Sequence, residues 1–347
     1  MSLSGNPYGC HRVIEPAGVL PQPAEKISND MMELWDNEIL VDVEILNIDS
    51  ASFTQIKEQA GGDVNKIEEI ILSIVGSAGK MKNPVTGSGG MFIGTVRSIG
   101  PKLKGNIDLV EGDKIASLVS LSLTPLKIEK IIEIRKDIDQ VIVKAQAILF
   151  ETGLYAKLPT DIPASLALAV LDVCGAPAQV ARMVKSGDTV VIIGAGGKSG
   201  ILCCYEAKRR AGICGKVIGI DYSDETLSRL NSLKICDHVI KLDASNAVAC
   251  YDAISEISDG NLADIVINNV NIPNTEMGSI LMTKDRGTVY FFSMSTSFTK
   301  AALGAEGVGK DVDMIVGNGY ARNHADITLN ILRESPEIRT LYENLYS

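Results

Sequence analysis

A chain of 347 residues with 46% hydrophobic and 22% charged side chains is long enough for two ordinary globular domains, each with a sizeable core. Its net charge of -10 and isoelectric point near 5.0 oppose phosphate backbones and anionic lipid surfaces, so neither nucleic acid nor a membrane is expected as a partner. Seven cysteines without a C-x-x-C pair, and three histidines (His11, His238, His324), fit a reducing compartment and offer no spacing for a zinc site.

The opening segment, "MSLSGNPYGCHRVIEP", lacks the basic start and apolar core of a secretory signal, and a cytoplasmic protein is expected. No apolar run reaches the roughly eighteen residues of a membrane span. Up to about Leu158, short β-type runs alternate with glycine and proline: "EILVDVEILNI", "MFIGTVRSIG", "DKIASLVSL", "KIEKIIEI" and "QVIVKAQAIL". That rhythm predicts a small, mainly antiparallel barrel over residues 1–158. Residues 51–77 turn helical in period around a Gly-Gly break.

Beyond it the pattern changes. Ala164 to Val184 reads as one or two helices, and strands are predicted at Thr189–Ala195, Val217–Asp221, His238–Leu242, Asp264–Val270, Gly287–Ser293 and Asp313–Gly317, separated by helix-sized segments. Apolar runs of that length between helices call for a parallel sheet covered on both faces. The fold class is therefore α/β: a barrel domain followed by a doubly wound (Rossmann) domain over 159–333.

The first of these strands runs into Gly194-Ala195-Gly196-Gly197-Lys198-Ser199-Gly200 and then a helix. A strand-to-helix turn without Cβ strain lets a pyrophosphate approach unpaired helix N–H groups, which is how such loops hold dinucleotides. The second strand ends in Asp221, about twenty residues on, where a carboxylate accepts ribose hydroxyls and repels a 2'-phosphate. Tyr222 and Ser223 follow with no arginine beside them, which favours NAD over NADP. The alternative for Asp221 is a helix cap. Asn268, Asn269, Val270 and Asn271 end the fourth strand, and Ser293, Met294 and the serines up to Ser297 end the fifth. In such sheets these ends border the ligand crevice, although asparagines also cap turns.

A barrel followed by this nucleotide domain is similar to the medium-chain dehydrogenase and reductase superfamily. Where its metal branch writes G-H-E, this chain has Ser88 and Gly89, and near the first zinc-ligand position it has Asp49. Long stretches, "GCHRVIEPAGVLPQPA", "NIDSASFTQI", "NIPNTEMGSIL" and "VYFFSMSTSFTKAALGAEGVGKDVDMIVGNGYARNHA", resemble a zinc-free, amine-oxidising branch acting on a diamino acid in lysine fermentation. That resemblance implies NAD as cofactor, no metal and a homodimer. It also sets an expectation that residues 334–347 return toward the catalytic barrel domain, short of the full set of strands that larger relatives use.

An amine needs no metal-lowered pKa, because its lone pair expels hydride once the ammonium loses a proton; a base and good positioning suffice. Asp49, with Ser50 and Ser52, is the candidate base or ammonium anchor. Glu151 and Glu276 are candidates for the second ammonium. Arg12 beside His11, or Arg322 with His324, is the candidate fork for the substrate carboxylate, and Ser88 a candidate hydrogen-bonding group. Each has a plain structural alternative as a cap, a first-turn acid or a salt-bridge partner. A zinc-free quinone or enoyl reductase using NADPH, or a dinucleotide sensor without turnover, are the rival functions.

Overall fold

The computed structural model describes residues 3–292, 295–317 and 319–346. They divide into two compact units, Met1–Thr160 and Asp161–Ser347.

In the first unit, β1 (Val13–Glu15) pairs with β2 (Lys26–Ile27) apart from the main sheet. That sheet comprises β3 (Glu38–Asn47), β4 (Met91–Ile99), β5 (Lys114–Ser117), β6 (Leu126–Arg135), β7 (Gln140–Phe150) and β8 (Tyr155–Lys157), all antiparallel in the order β6-β7-β3-β4-β5-β8. Alternate residues of β3, Ile39, Val41 and Val43, enter one core with Phe92, Val96, Val141 and Val143, as period-two side chains must. The helical interruption is real: α1 (Ser50–Gln59) and α2 (Val64–Ala78) flank Gly61-Gly62. Ile67, Ile71 and Val75, spaced four apart on one face of α2, join the same core.

The second unit begins with α3 (Ala164–Leu171) and α4 (Gly175–Met183). It continues β9 (Thr189–Ile193), α5 (Lys198–Ala211), β10 (Lys216–Asp221), α6 (Asp224–Leu233), β11 (His238–Lys241), α7 (Ala247–Ile257), β12 (Ala263–Asn268), α8 (Glu276–Met282), β13 (Thr283–Phe291), α9 (Phe298–Val308), β14 (Asp313–Val316), α10 (His324–Glu334) and α11 (Pro336–Tyr346). The sheet is wholly parallel in the order β11-β10-β9-β12-β13-β14. All six predicted strands are present. Val190 to Ile193 are buried on both faces, which is why the run is continuously apolar rather than alternating. The order reverses between β9 and β12, and their carboxyl ends form the switch point where such folds bind ligands.

Within the second unit, the C-terminal residues 336–346 form α11, packed on α3 and α10. Ile338 and Tyr342, one helical turn apart, are its buried face, and the Tyr342 hydroxyl donates to the Lys198 carbonyl. Among the described residues no single helix is long and apolar enough to cross a membrane.

Candidate active site

A cleft of about 760 Å³ opens at the switch point, lined by the glycine loop, Asp221, Thr226 and residues 269–271. Gly194 sits at φ 73°, a left-handed conformation that side chains disfavour. At Gly200 a Cβ would lie 2.0 Å from the Gly194 carbonyl oxygen, so α5 approaches β9 closely only because that position is bare. Gly197 is the residue preceding α5, and Gly197, Lys198 and Ser199 line the cleft. The first N–H groups of α5 have no intrahelical acceptor, and they favour an anionic group at this place. Lys198 Nζ pairs with Asp172 Oδ2 at 2.5 Å.

Asp221 ends β10 with both oxygens engaged by backbone: Oδ2 accepts from Gly196 N at 2.9 Å and Oδ1 from Tyr222 N at 2.8 Å. It is not the cap of α6, because the capping position belongs to Ser223. A second cavity of about 360 Å³ shares Gly194, Asp221 and Val270 with the cleft and adds Tyr222, Leu242 and Ala244. Its apolar walls beside a carboxylate suit a flat base attached to a ribose.

The asparagines separate by face. Asn268 is fully buried; its Nδ2 donates to Thr275 Oγ1 (2.8 Å) and Ser279 Oγ (3.0 Å), and its Oδ1 accepts from Val270 N (3.2 Å). It ties β12 to α8 and has nothing left for a ligand. Asn269 lines the cleft, and its buried side-chain oxygen and nitrogen find no partner at full hydrogen-bond geometry among the described residues, with the Cys203 thiol beside them. A buried unpartnered amide is costly, and a bound dinucleotide would relieve it. Val270 and Asn271 also line the cleft. Ser293 and Met294 lie outside the described residues.

In the first unit Asp49 precedes α1 as its N-cap, with Oδ1 accepting from Ser52 N at 3.0 Å. Its Oδ2 is buried without a partner among the described residues. Ser52 is buried, with Oγ 2.5 Å from Thr86 Oγ1, and the same threonine oxygen accepts from Ser88 N at 3.3 Å. Asn83 fastens this loop by donating to Ser52 O and Gln55 Oε1 and accepting from Val85 N and Thr86 N. The loop then passes so close to β3 that a Cβ on Gly90 would lie 2.0 Å from Asn47 O. Ser52 and Ser88 are thus brought together through Thr86, and Asp49 joins them through Ser52 N, whereas Ser50 is exposed. Among the described residues no three His, Cys, Asp or Glu side chains gather as a metal site requires. One carboxylate among hydroxyls and glycines does not fit the zinc of the metal-dependent dehydrogenases.

Four candidates are corrected by their surroundings. Arg12 is 2% exposed and clamps Glu38 with two bonds, Nε to Oε1 at 2.8 Å and Nη2 to Oε2 at 2.6 Å, while also donating to the Asp30 and Glu33 carbonyls. Four of its five N–H groups are thereby engaged, which leaves no pair of donors for a bidentate grip on a substrate carboxylate. His11 Nε2 lies 2.8 Å from the same carboxylate, and its Nδ1 accepts from Asn6 N at 3.0 Å; the ring is held as the neutral Nε2–H tautomer. Burial would raise the Glu38 carboxyl, but the bonds from Arg12, His11 and Trp35 N outweigh it and hold the group below its ordinary value. Glu151 is occupied by Lys102 at 2.7 Å and Asn37 at 3.2 Å, and the Lys102 bond lowers its pKa. His324 is 5% exposed, its ring edge-on to Tyr320 at 5.1 Å, and burial pushes its pKa down; it serves the packing of α10 rather than assisting Arg322. Glu276 is 3% exposed and accepts from Ser297 N at 2.7 Å, a structural bond in place of a substrate ammonium. Arg322 is exposed and has no ion pair among the described residues, so it remains as the carboxylate candidate.

Several participants escaped sequence reasoning. Thr86 links Ser52 and Ser88. Arg229 donates to Gly196 O at 3.3 Å and to Glu225 at 2.9 Å, so an arginine does reach the glycine loop, delivered by two turns of α6. Gly317 and Gly319 line the cleft after β14; a glycine pair just beyond the last strand was the available signal.

A glycine cradle at the switch point of a parallel sheet, preceded by an antiparallel unit, defines a medium-chain dehydrogenase/reductase fold. A mycobacterial quinone oxidoreductase superposes with a TM-score of 0.54 at 16% identity, over 100% of this chain and 88% of that one, a likeness of fold. Residues 11–159 match the family model described as the L-erythro-3,5-diaminohexanoate dehydrogenase N-terminal domain. Proteins named L-erythro-3,5-diaminohexanoate dehydrogenase from Acetoanaerobium sticklandii and Fusobacterium nucleatum subsp. nucleatum are 61% and 58% identical, each over 99% of this chain and over 100% and 99% of their own lengths. The chain belongs to the L-erythro-3,5-diaminohexanoate dehydrogenase family and is a member of an oxidoreductase family.

Proposed function

We propose that the protein oxidises L-erythro-3,5-diaminohexanoate with NAD and water, giving 5-amino-3-oxohexanoate and ammonia, as a step of lysine fermentation. The observation that carries this is 61% identity along the whole length of a protein of that name. It outweighs the reductase and sensor alternatives, which rest on fold alone. Gly194 to Gly200 and the start of α5 would hold the pyrophosphate, Asp221 the adenosine ribose, and Tyr222, Leu242 and Ala244 the base, with Asn269 toward the nicotinamide. When bound, the nicotinamide accepts a hydride from the carbon bearing the amine. Asp49 takes the proton that makes the nitrogen lone pair available; its unpartnered Oδ2 is the acceptor. Water adding to the resulting iminium carbon releases ammonia, and the hydroxyls of Ser52, Thr86 and Ser88 are suited to orient it. Arg322 supplies a fork for the substrate carboxylate.

NAD is preferred because a 2'-phosphate would meet the Asp221 carboxylate, while Arg229 is already shared between Glu225 and Gly196 O. No metal takes part, since the donor set around Asp49 offers none a seat. A cytoplasmic homodimer belongs to the same reading. Incubation with the diamino acid and either dinucleotide tests it: NADH absorbance and a 3-oxo product are expected with NAD. Turnover only with NADP, or none while NAD binds, would overturn it.

A further inference from the structure

A 3,5-diamino acid brings two ammonium groups, of which one is consumed and the other needs an anion. Glu151 and Glu276 are already occupied, the first by Lys102 and Asn37 and the second by Ser297 N. Among the described residues that line the cleft, the carboxylates are Asp172 and Asp221. Both oxygens of Asp221 accept from backbone, from Gly196 N and Tyr222 N, and Asp221 also borders the second cavity that suits the ribose and base. Asp172 lines the cleft and is absent from the wall of that cavity. It therefore borders the part of the cleft that the adenosine half does not claim.

Asp172 follows α3 as its C-cap, where the last carbonyls of a helix already carry partial negative charge. A carboxylate there adds to that field instead of offsetting it, so the place attracts a cation. The cation present is Lys198, whose Nζ lies 2.5 Å from Asp172 Oδ2, while Oδ1 accepts no hydrogen bond among the described residues. The lysine and aspartate side chains are 31% and 44% exposed, and an ion pair so open to water is weak and readily exchanged. Lys198 is also the first residue of α5, beside the N–H groups assigned to the pyrophosphate. A dinucleotide arriving there offers the lysine ammonium a second anion and leaves Asp172 short of a cation.

We infer that Asp172 is the specificity-determining anion for the non-reacting 5-ammonium of the substrate, and that it becomes available when the dinucleotide draws Lys198 away. Charges stay paired through the exchange: Lys198 passes to the pyrophosphate and the substrate ammonium to Asp172. The cofactor therefore binds first and the diamino acid second. This rests on the proposed oxidation of the diamino acid and adds to it the group that recognises the second amine.

The same acid without its 5-amino group, 3-aminohexanoate, is the probe, since it changes the ligand and leaves the protein intact. Wild type should prefer the diamino acid by about 10- to 100-fold in kcat/KM, the scale of one hydrogen bond to a charged group. In Asp172→Asn, which keeps the shape and removes the charge, that preference should fall to within about 3-fold. Calorimetric titration of both acids onto the enzyme–NADH complex should show the same pattern in Kd without turnover. The diamino acid should also bind the wild-type NADH complex more tightly than the free protein, and Lys198→Met should narrow that gap by about 3-fold or more. Wild type indifferent to the 5-amino group, a preference kept in full by Asp172→Asn, or a gap unchanged in Lys198→Met would overturn the inference. If wild type binds the diamino acid without oxidising it, the proposed reaction is at fault, and the Kd comparison still decides the role of Asp172; no binding of either acid would remove both.

Discussion

The Arg12–Glu38 network of the first unit and the Asn269 rim of the cleft use buried polar groups in opposite ways. Around Glu38, Arg12, His11 and the Trp35 amide occupy both carboxylate oxygens, and the Asp30 and Glu33 carbonyls take two more of the guanidinium N–H groups. At Asn269, two buried polar atoms find no partner at full hydrogen-bond geometry among the described residues, with the Cys203 thiol beside them, and at Asp49 one buried oxygen has no partner among the described residues. Saturated networks hold a fold; groups left with bonding capacity are places for a ligand. In sequence, "GCHR" looks at least as functional as "NNVN", and only the count of partners distinguishes them.

Breaking the unsaturated side should cost the most in chemistry. Asp49→Asn keeps the cap of α1 and removes the proposed base, so kcat should fall roughly 10²- to 10⁴-fold while NAD affinity stays within about 2-fold, read by turnover against a fluorescence titration. If turnover is unchanged, Asp49 is only a cap.

On the saturated side, Arg12→Leu leaves the buried Glu38 with only the His11 and Trp35 N–H bonds and no cation, and the expected loss is about 3–5 kcal/mol of unfolding free energy, measured in denaturant. The sign with pH follows from the lowered Glu38 pKa. Because the folded value lies below the unfolded one, its contribution is full above the ordinary glutamate range and is lost as pH falls through the folded value. That acid-side loss should disappear in the variant.

Between these extremes lies selectivity. On the proposed reading, Asp221→Ser removes charged bonds to a ribose worth about 1.5–3 kcal/mol, so the proposed preference for NAD over NADP should shrink by about 10- to 100-fold in kcat/KM. No change would move the discrimination to Arg229.

A further effect, on stability against pH, concerns Lys80, fully buried and donating to the Pro21 and Gln22 carbonyls. Burial, assisted by Lys82, lowers its pKa from 10.5 to about 8. The unfolded chain then binds more protons between these values, so stability should rise with pH across that window. Lys80→Met should flatten the rise.

Much of the second unit was legible because buried parallel strands write continuous apolar runs, and glycines at 194 and 200 are forced by backbone geometry. The candidate site was less so. Asn268 and Asn269 are neighbours of identical type, and which one faces the cleft depends on strand register. Arg12 and Arg322 differ only in what surrounds them, and partners as distant in sequence as Glu38 cannot be read from spacing. Thr86 was invisible because its role is to receive Ser52 and Ser88 from different elements.

The most direct test is hydride transfer from the diamino acid to NAD after exhaustive chelation and metal analysis. An amine oxidised through Asp49 with no metal predicts NADH formation undiminished at less than stoichiometric zinc. Activity lost on chelation and restored by zinc would contradict it.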